Sequence, residues 1–385
     1  MIKFLFNSFV WKTINILSSL ITGILLARLL SVDDRGQYAI FISIISIYTI
    51  ILNFGIPESL VYLLQKNKIR QNEFILLGLI IPSILAIVFF VLYFILYQFG
   101  VNLLYIELNS LNFLIFSCLI LCSFNVLLRH LILKENLIKI FNFLSSIETV
   151  LNLLLFLILY LFNLFNLINV ILVFTFSVFI SFTIHIVVNR SRLVKLMKSS
   201  KDLKLTDLSK LIRIAFPLFL LGLAGVFSSK LNLFILDFFH NSENVGYYSI
   251  AIIFPNLLMI IPALIAQLAY PVSSSFNDPD KLKLYAIKIL KHALFITFIL
   301  TIGAYIITPL LIPILYGSVY IKVIPALFIL LAGVFFGAIN TILINLLISS
   351  GESKILLINS IVIVFGIFSL SFLVYYFSFM GTAIT

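Results

Sequence analysis

The chain alternates long apolar runs with short polar breaks. Eleven runs stand out: residues 7–30, 38–64, 74–98, 111–133, 140–162, 167–189, 212–239, 245–273, 287–315, 323–349 and 355–377. A helix rises 1.5 Å per residue, so each run is long enough to cross the roughly 30 Å hydrocarbon core of a bilayer. A chain inside lipid must satisfy its own backbone polar groups, and an α-helix does so within one segment. The pattern predicts an all-α polytopic membrane protein with about eleven transmembrane helices. The one long polar interruption, 190–210, leaves six runs before it and five after. The expected organisation is a six-helix lobe over 1–189, a basic linker over 190–210 and a second lobe over 211–385.

The two halves share a local pattern. After the first run comes Arg28 to Gly36-Gln37-Tyr38, and after the seventh comes Asp237 to Gly246-Tyr247-Tyr248. Each is a helix end, a short polar turn, Gly-x-Tyr and a new apolar run, and the glycines lie 210 positions apart. The first and seventh runs cross in the same direction. This predicts a parallel repeat of two bundles, an arrangement that transporters use with a substrate site between the halves.

Composition sharpens the class. Apolar residues make up 63% of the 385, charged residues 10%, and the mean hydropathy is +1.24. Soluble domains run near 45–50% apolar and about 25% charged. A soluble globular domain and a disordered chain are both excluded. The net charge of +11 would point to nucleic acid in a soluble protein. Here, 21 of the 25 Lys and Arg residues fall at the N-terminus or in loops after even-numbered runs; the exceptions are Arg28, Arg35, Lys230 and Lys322. Such a bias puts that side in the cytoplasm. The N-terminus and the 190–210 linker are expected inside, in a bacterial inner membrane, with no nucleic-acid partner. Lys12 interrupts the first apolar run and no small-x-small site follows, so that run reads as a retained helix. Lys281, Lys288 and Lys291 share one helical face, and that segment is expected along the inner surface, where anionic lipids bind basic residues.

Candidate chemistry is sparse. The chain has no P-loop, no GxGxxG, no HExxH and no zinc-type Cys/His cluster. No enzyme activity, metal or cofactor is expected. Cys118 and Cys122 share a helix face inside an apolar run and read as small core residues. The informative residues are ionisable groups within apolar runs, because a charge at mid-bilayer costs about 2.5–3.5 kcal/mol on the insertion scale. Glu58 follows Gly55-Ile56-Pro57, where the missing proline donor can make a polar hinge. Glu148 shares a polar face with Ser145, Ser146, Thr149 and Asn152, which should turn inward. Lys230 lies deep in the seventh run, and Asp237 is seven residues on, almost on the same face. Lys230 is thus either a cationic cavity residue or the partner of Asp237. Arg28, at the end of the first run, is a second candidate cation or an interfacial anchor. His130, His185 and His292 lie near run ends and read as interface residues.

Leu26-Ala27-Arg28-Leu29-Leu30, then Asp33-Asp34-x-Gly36-x-Tyr38, then Asn53-Phe54-Gly55-Ile56 resemble the opening of the Wzx-type polysaccharide-biosynthesis flippases. These belong to the multidrug/oligosaccharidyl-lipid/polysaccharide exporter superfamily. Gly246-Tyr-Tyr-Ser-Ile-Ala251, Tyr316-Gly317-x-x-Tyr320, Gly351-Glu-Ser-Lys354 and Gly381-Thr-Ala383 extend the resemblance over nearly the whole chain. The resemblance implies two six-helix lobes around a central cavity. It also implies transport of undecaprenyl-pyrophosphate-linked oligosaccharide (O-antigen or capsule repeat units) by alternating access, with membrane lipids and polysaccharide assembly proteins as partners. A pyrophosphate needs cations in a wet cleft, and Arg28 and Lys230 come from the first helix of each lobe. The family has a twelfth helix. Here Gly381-Thr-Ala-Ile-Thr385 resembles its opening, so the second lobe is expected to lack that helix. The competing readings are a small-molecule exporter of the same superfamily, an O-antigen polymerase, and an inactive truncated copy.

Overall fold

The computed structural model describes residues 2–59, 71–98, 112–133, 137–198, 205–273, 278–349 and 371–384. Its helices are α1 (Ile2–Leu29), α2 (Val32–Asn53), α3 (Gln71–Gln98), α4 (Asn112–Leu133), α5 (Ile138–Leu161) and α6 (Leu167–Lys198). They continue with α7 (Leu205–Phe239), α8 (Ser242–Ala251), α9 (Ile253–Ser273), α10 (Pro279–Leu315), α11 (Ile324–Ser349) and α12 (Phe379–Ile384), with a 3-10 turn at Ser318–Val323 between α10 and α11. Among the described residues there is no strand. Nine helices there are long and apolar enough to span a membrane, or ten if the bent pair α8–α9 is one span. The protein is a multi-pass, all-α membrane protein. Most of the eleventh expected run lies outside the described residues, and 371–377 is helical.

Two helix starts repeat each other. Ser31 Oγ accepts from the Asp34 amide at 3.1 Å and opens α2. Asn241 Oδ1 accepts from the Asn244 amide at 3.1 Å and opens α8. Each cap satisfies an orphan amide of the first turn, and each first turn carries an acid, Asp33–Asp34 or Glu243, where the helix dipole favours it. Ser31 and Asn241 are 210 residues apart, the same offset as Gly36 and Gly246.

Breaks fall where the backbone demands them. The second run was expected to stay helical to residue 64 with a hinge at Pro57. Instead α2 ends at Asn53, and Phe54 and Gly55 take positive φ (47° and 67°) before helix resumes at Ile56. The single helix expected over 245–273 is bent by 42° between α8 and α9. Pro255 accounts for the bend: it has no amide to give the Ala251 carbonyl four residues back. The linker expected over 190–210 is helical up to Lys198 and again from Leu205. The basic stretch around Lys288 forms the first part of α10.

The chain divides into two compact units. Unit 1 is Met1–Leu29 with Phe41–Ser229; unit 2 is Leu30–Ile40 with Lys230–Thr385. Helices α2 and α7 each start in one unit and end in the other. Lipid is as apolar as leucine, so helices inside each unit are joined by close packing and hydrogen bonds rather than by the hydrophobic effect. In unit 1, Ser123 donates to Asn53 (3.1 Å), Ser177 to Asn152 (2.6 Å), Asn189 to the Leu128 carbonyl (3.2 Å) and Ser146 to the Trp11 carbonyl (3.3 Å). Each such bond is worth about 0.6 kcal/mol. In unit 2, Ala266, Ala269 and Ala293 let α9 and α10 approach closely around Ile342 and Leu346 of α11. Large apolar side chains such as Ile87, Phe94, Phe295 and Leu310 stay exposed, as suits a surface solvated by lipid.

Candidate functional site

Unit 1 contains a half-open cavity of about 380 Å³ between α2, α4, α5, α6 and α7. Helical spacing assembles its polar wall. Cys122, Asn125 and Arg129 share one face of α4, and Ser145, Glu148 and Thr149 share one face of α5. Ser46 and Thr49 come from α2, His185 from α6 and Val226 from α7.

Partners fix the chemistry of each group. Asn125 is 5% exposed; its amide nitrogen donates to the Val178 carbonyl at 3.4 Å, and its Oδ1 has no hydrogen-bond partner. His185 is 2% exposed, with Nδ1 2.7 Å from the Ser181 carbonyl and Nε2 without a partner. The carbonyl can only accept, so Nδ1 is the donor in this contact. Thr49 Oγ1 and Arg129 Nε are also buried without partners. The Arg129 guanidinium carbon lies 5.5 Å from the centre of the Phe141 ring. Glu148 and Arg129 are within electrostatic reach of each other, and Glu58 acts on Arg129 less strongly. The cavity thus carries one cation, one carboxylate and several neutral hydrogen-bonding groups.

Unit 2 contains a contact between the two capped helix starts. A Cβ on Gly36 would lie 1.7 Å from the Ser242 carbonyl oxygen and 2.9 Å from the Gly246 amide nitrogen. A Cβ on Gly246 would lie 2.0 Å from the Val32 carbonyl oxygen. Val32 and Ser242 are again 210 apart. The contact is therefore reciprocal: each glycine meets the residue that opens the other helix, as a local two-fold relation between like segments requires. Beside it, Arg35 is 8% exposed among the phenols of Tyr38, Tyr316 and Tyr320.

In unit 1, the far end of α2 closes on α7 in a similar way. A Cβ on Gly55 would lie 2.3 Å from the Ala215 carbonyl oxygen and 2.7 Å from the Phe219 nitrogen. Phe54 stacks on Phe219 with ring centres 4.7 Å apart.

Of the five residues singled out in the sequence, Glu148 lines the unit 1 cavity. Glu58 is exposed in the turn after Gly55, and Arg28 is exposed in the last turn of α1. Lys230 is half-buried where unit 2 begins on α7. Asp237 accepts from the Ser242 hydroxyl at 2.9 Å. Among the described residues, no three His, Cys, Asp or Glu side chains converge as a metal site would require.

Residues 4–277 match a protein family described as "Polysaccharide biosynthesis protein". The chain belongs to that family. No curated protein matches it. Solved structures share its fold. The lipid II flippase MurJ in an inward closed conformation matches with a TM-score of 0.79 at 14% identity, over 100% of this chain and 84% of that one. A multidrug resistance MATE family transporter of the MOP superfamily, inward-facing, matches with a TM-score of 0.69 at 15% identity, over 98% of this chain and 93% of that one. The Vibrio cholerae MATE transporter VcmN matches with a TM-score of 0.60 at 14% identity, over 100% of this chain and 93% of that one. At such identities the likeness establishes the fold, the all-helical one of flippases and transporters.

Sequence reasoning did not select Arg129, Asn125 or His185 for this cavity. Arg129 counted among the charges of one membrane side, and His185 read as an interface residue. The signal lay in their spacing: Cys122-Asn125-Arg129 and Ser181-His185 are polar positions three or four residues apart within apolar runs.

Proposed function

We propose that the protein is a flippase that carries undecaprenyl-pyrophosphate-linked oligosaccharide across the bacterial inner membrane by alternating access, with its N-terminus in the cytoplasm. The observation that carries this reading is the pair of backbone contacts at the two ends of α2. One end meets α8 through Gly36 and Gly246; the other meets α7 through Gly55. Both close on a glycine that lets backbone meet backbone, with the Phe54–Phe219 ring stack beside the second. The α2 helix belongs to unit 2 at its start and to unit 1 at its end. Opening one contact at a time exposes the substrate path to one side at a time.

The lobes 1–189 and 211–385 are the two repeats in this account, with the basic 190–210 stretch between them inside the cell. Lys230 meets the pyrophosphate, Arg28 is a second candidate cation in unit 1, Glu58 and Asp237 adjust the polarity of the path, and Glu148 belongs to the unit 1 cavity. The lipid tail remains in the bilayer while the headgroup crosses. Polysaccharide assembly proteins receive the product.

Complementation tests the reading. A flippase-null strain expressing this chain should regain surface polysaccharide. Failure to do so, with the protein present in the membrane, would overturn it.

A further inference from the structure

The two helix starts that meet in unit 2 repeat each other, yet one buried position differs in charge. Arg35 precedes Gly36 as Val245 precedes Gly246, again 210 residues apart. Val245 is fully buried and Arg35 is 8% exposed. A valine fills the equivalent place in the other repeat, so the packing there does not itself call for a cation.

The surroundings of Arg35 compensate its charge poorly. The phenols of Tyr320, Tyr38 and Tyr316 face the guanidinium; among the described residues no carboxylate does. Tyr316 ends α10, and Tyr320 lies in the 3-10 turn that follows Gly317. Neither the Tyr316 nor the Tyr320 hydroxyl hydrogen-bonds to Arg35. Tyr320 packs on Tyr247 with ring centres 6.0 Å apart, and the Lys322 ammonium lies 5.7 Å from the centre of the Tyr247 ring. A second cation thus belongs to the same aromatic cluster. Asp33 accepts from the Gln37 side chain at 2.8 Å and Asp237 from the Ser242 hydroxyl at 2.9 Å, so both carboxylates have partners of their own. A charge taken from water without a counter-charge is costly, and an apolar side chain of similar volume in its place is often stabilising. Arg35 adjoins Gly36, whose Cβ position abuts the Ser242 carbonyl. Parting that contact is what returns the guanidinium to water.

We propose that Arg35 is a positioning residue for transport: its buried charge opposes closure of the Gly36–Gly246 contact and keeps the closed state easy to leave. This role rests on the alternating-access reading. The two repeats then differ in task at one position, with Val245 packing the contact and Arg35 loosening it.

The test is the maleimide labelling rate of Val245→Cys protein, purified as the full chain in phospholipid nanodiscs without substrate. A cysteine at this buried position reacts when the contact opens. Adding Arg35→Met should slow labelling about tenfold, equivalent to about 1.4 kcal/mol. Arg35→Lys keeps the charge and should label close to the parent rate. Arg35→Gln, also uncharged, should slow labelling and serves if Arg35→Met does not fold. Uncharged variants that label as fast as the parent, or faster, would overturn the proposal. So would an Arg35→Lys protein slowed as much as Arg35→Met, since charge would not be the cause. A flipping assay with lipid-linked glycan adds a second readout. Arg35→Met should lower the maximal rate and leave the half-saturating substrate concentration unchanged; a shift in half-saturation alone would make Arg35 a substrate-binding residue instead. A parent protein that does not flip defeats the flippase reading, while the order of labelling rates still decides what Arg35 does to the contact.

Discussion

Replacing Gly36 with alanine sets two effects against each other. Alanine in a helix interior is favoured over glycine by about 0.5–1 kcal/mol, so helix propensity alone expects a more stable protein. The new Cβ would stand 1.7 Å from the Ser242 carbonyl oxygen, half the 3.4 Å at which ordinary contact begins. The next atoms, the Ser242 carbonyl carbon at 2.7 Å and the Gly246 nitrogen at 2.9 Å, are backbone too. No rotamer change can relieve the clash, so the two helix starts must separate. Overpacking of this kind costs typically 1–3 kcal/mol. Taken at the upper end, about 3 kcal/mol, for a clash between backbones, less about 1 kcal/mol of helix gain, the net loss near 2 kcal/mol shifts the closed-to-open ratio about thirtyfold. Val245 is fully buried beside the contact, so a cysteine there reports on it. The native Cys118 and Cys122 are buried and give low background. In Val245→Cys protein, Gly36→Ala should raise the maleimide labelling rate tenfold or more and lower the melting temperature. Gly23→Ala and Gly225→Ala, where a Cβ meets nothing within 4 Å, should leave labelling unchanged and stability equal or higher. If Gly36→Ala behaves like those two controls, the close contact is not what holds the helix starts together.

Gly55→Ala carries two penalties, a left-handed φ of 67° and a Cβ 2.3 Å from the Ala215 carbonyl oxygen, so transport should fall more than in Gly36→Ala when vesicle uptake is compared at equal protein level. Arg129→Gln should lower the melting temperature by leaving Glu148 without its counter-charge, and a double change with Glu148→Gln should recover part of the loss, which a double-mutant cycle measures. Lys230→Ala should reduce export of lipid-linked sugar at normal protein level, and Lys230→Arg should keep part of it, because the charge remains while the head shape differs; normal export by Lys230→Ala would remove this lysine from substrate binding.

Features set by local chemistry were legible in the chain. The Gly-x-Tyr repeats and the long apolar runs act within a few residues, and the helix starts that Ser31 and Asn241 cap fall 210 apart as the glycines do. Breaks were harder to place. Pro57 drew attention, yet α2 yields at Phe54–Gly55, because that glycine must admit the α7 backbone. The polar stretch after Asn189 marked an end to hydrophobicity but not to helix, since Arg and Lys are good helix formers. Glu148 was noticed because a carboxylate in an apolar run is conspicuous. Arg129 and His185 escaped notice because their place in the cavity depends on how α4, α5 and α6 pack, and distance from a run's end says nothing of that. The reciprocal contact of Gly36 and Gly246 was likewise invisible, since sequence offset reveals equivalence but not touch.

The central claim is that this chain moves lipid-linked oligosaccharide between leaflets. The most direct measurement reconstitutes the purified chain into liposomes carrying such a lipid and follows, over time, the fraction open to an impermeant glycan-modifying enzyme added outside. The account predicts that the accessible fraction rises well above that of protein-free liposomes, and that Gly36→Ala and Gly55→Ala slow the rise. Accessibility that stays at the protein-free level, with the chain folded and inserted, would contradict it.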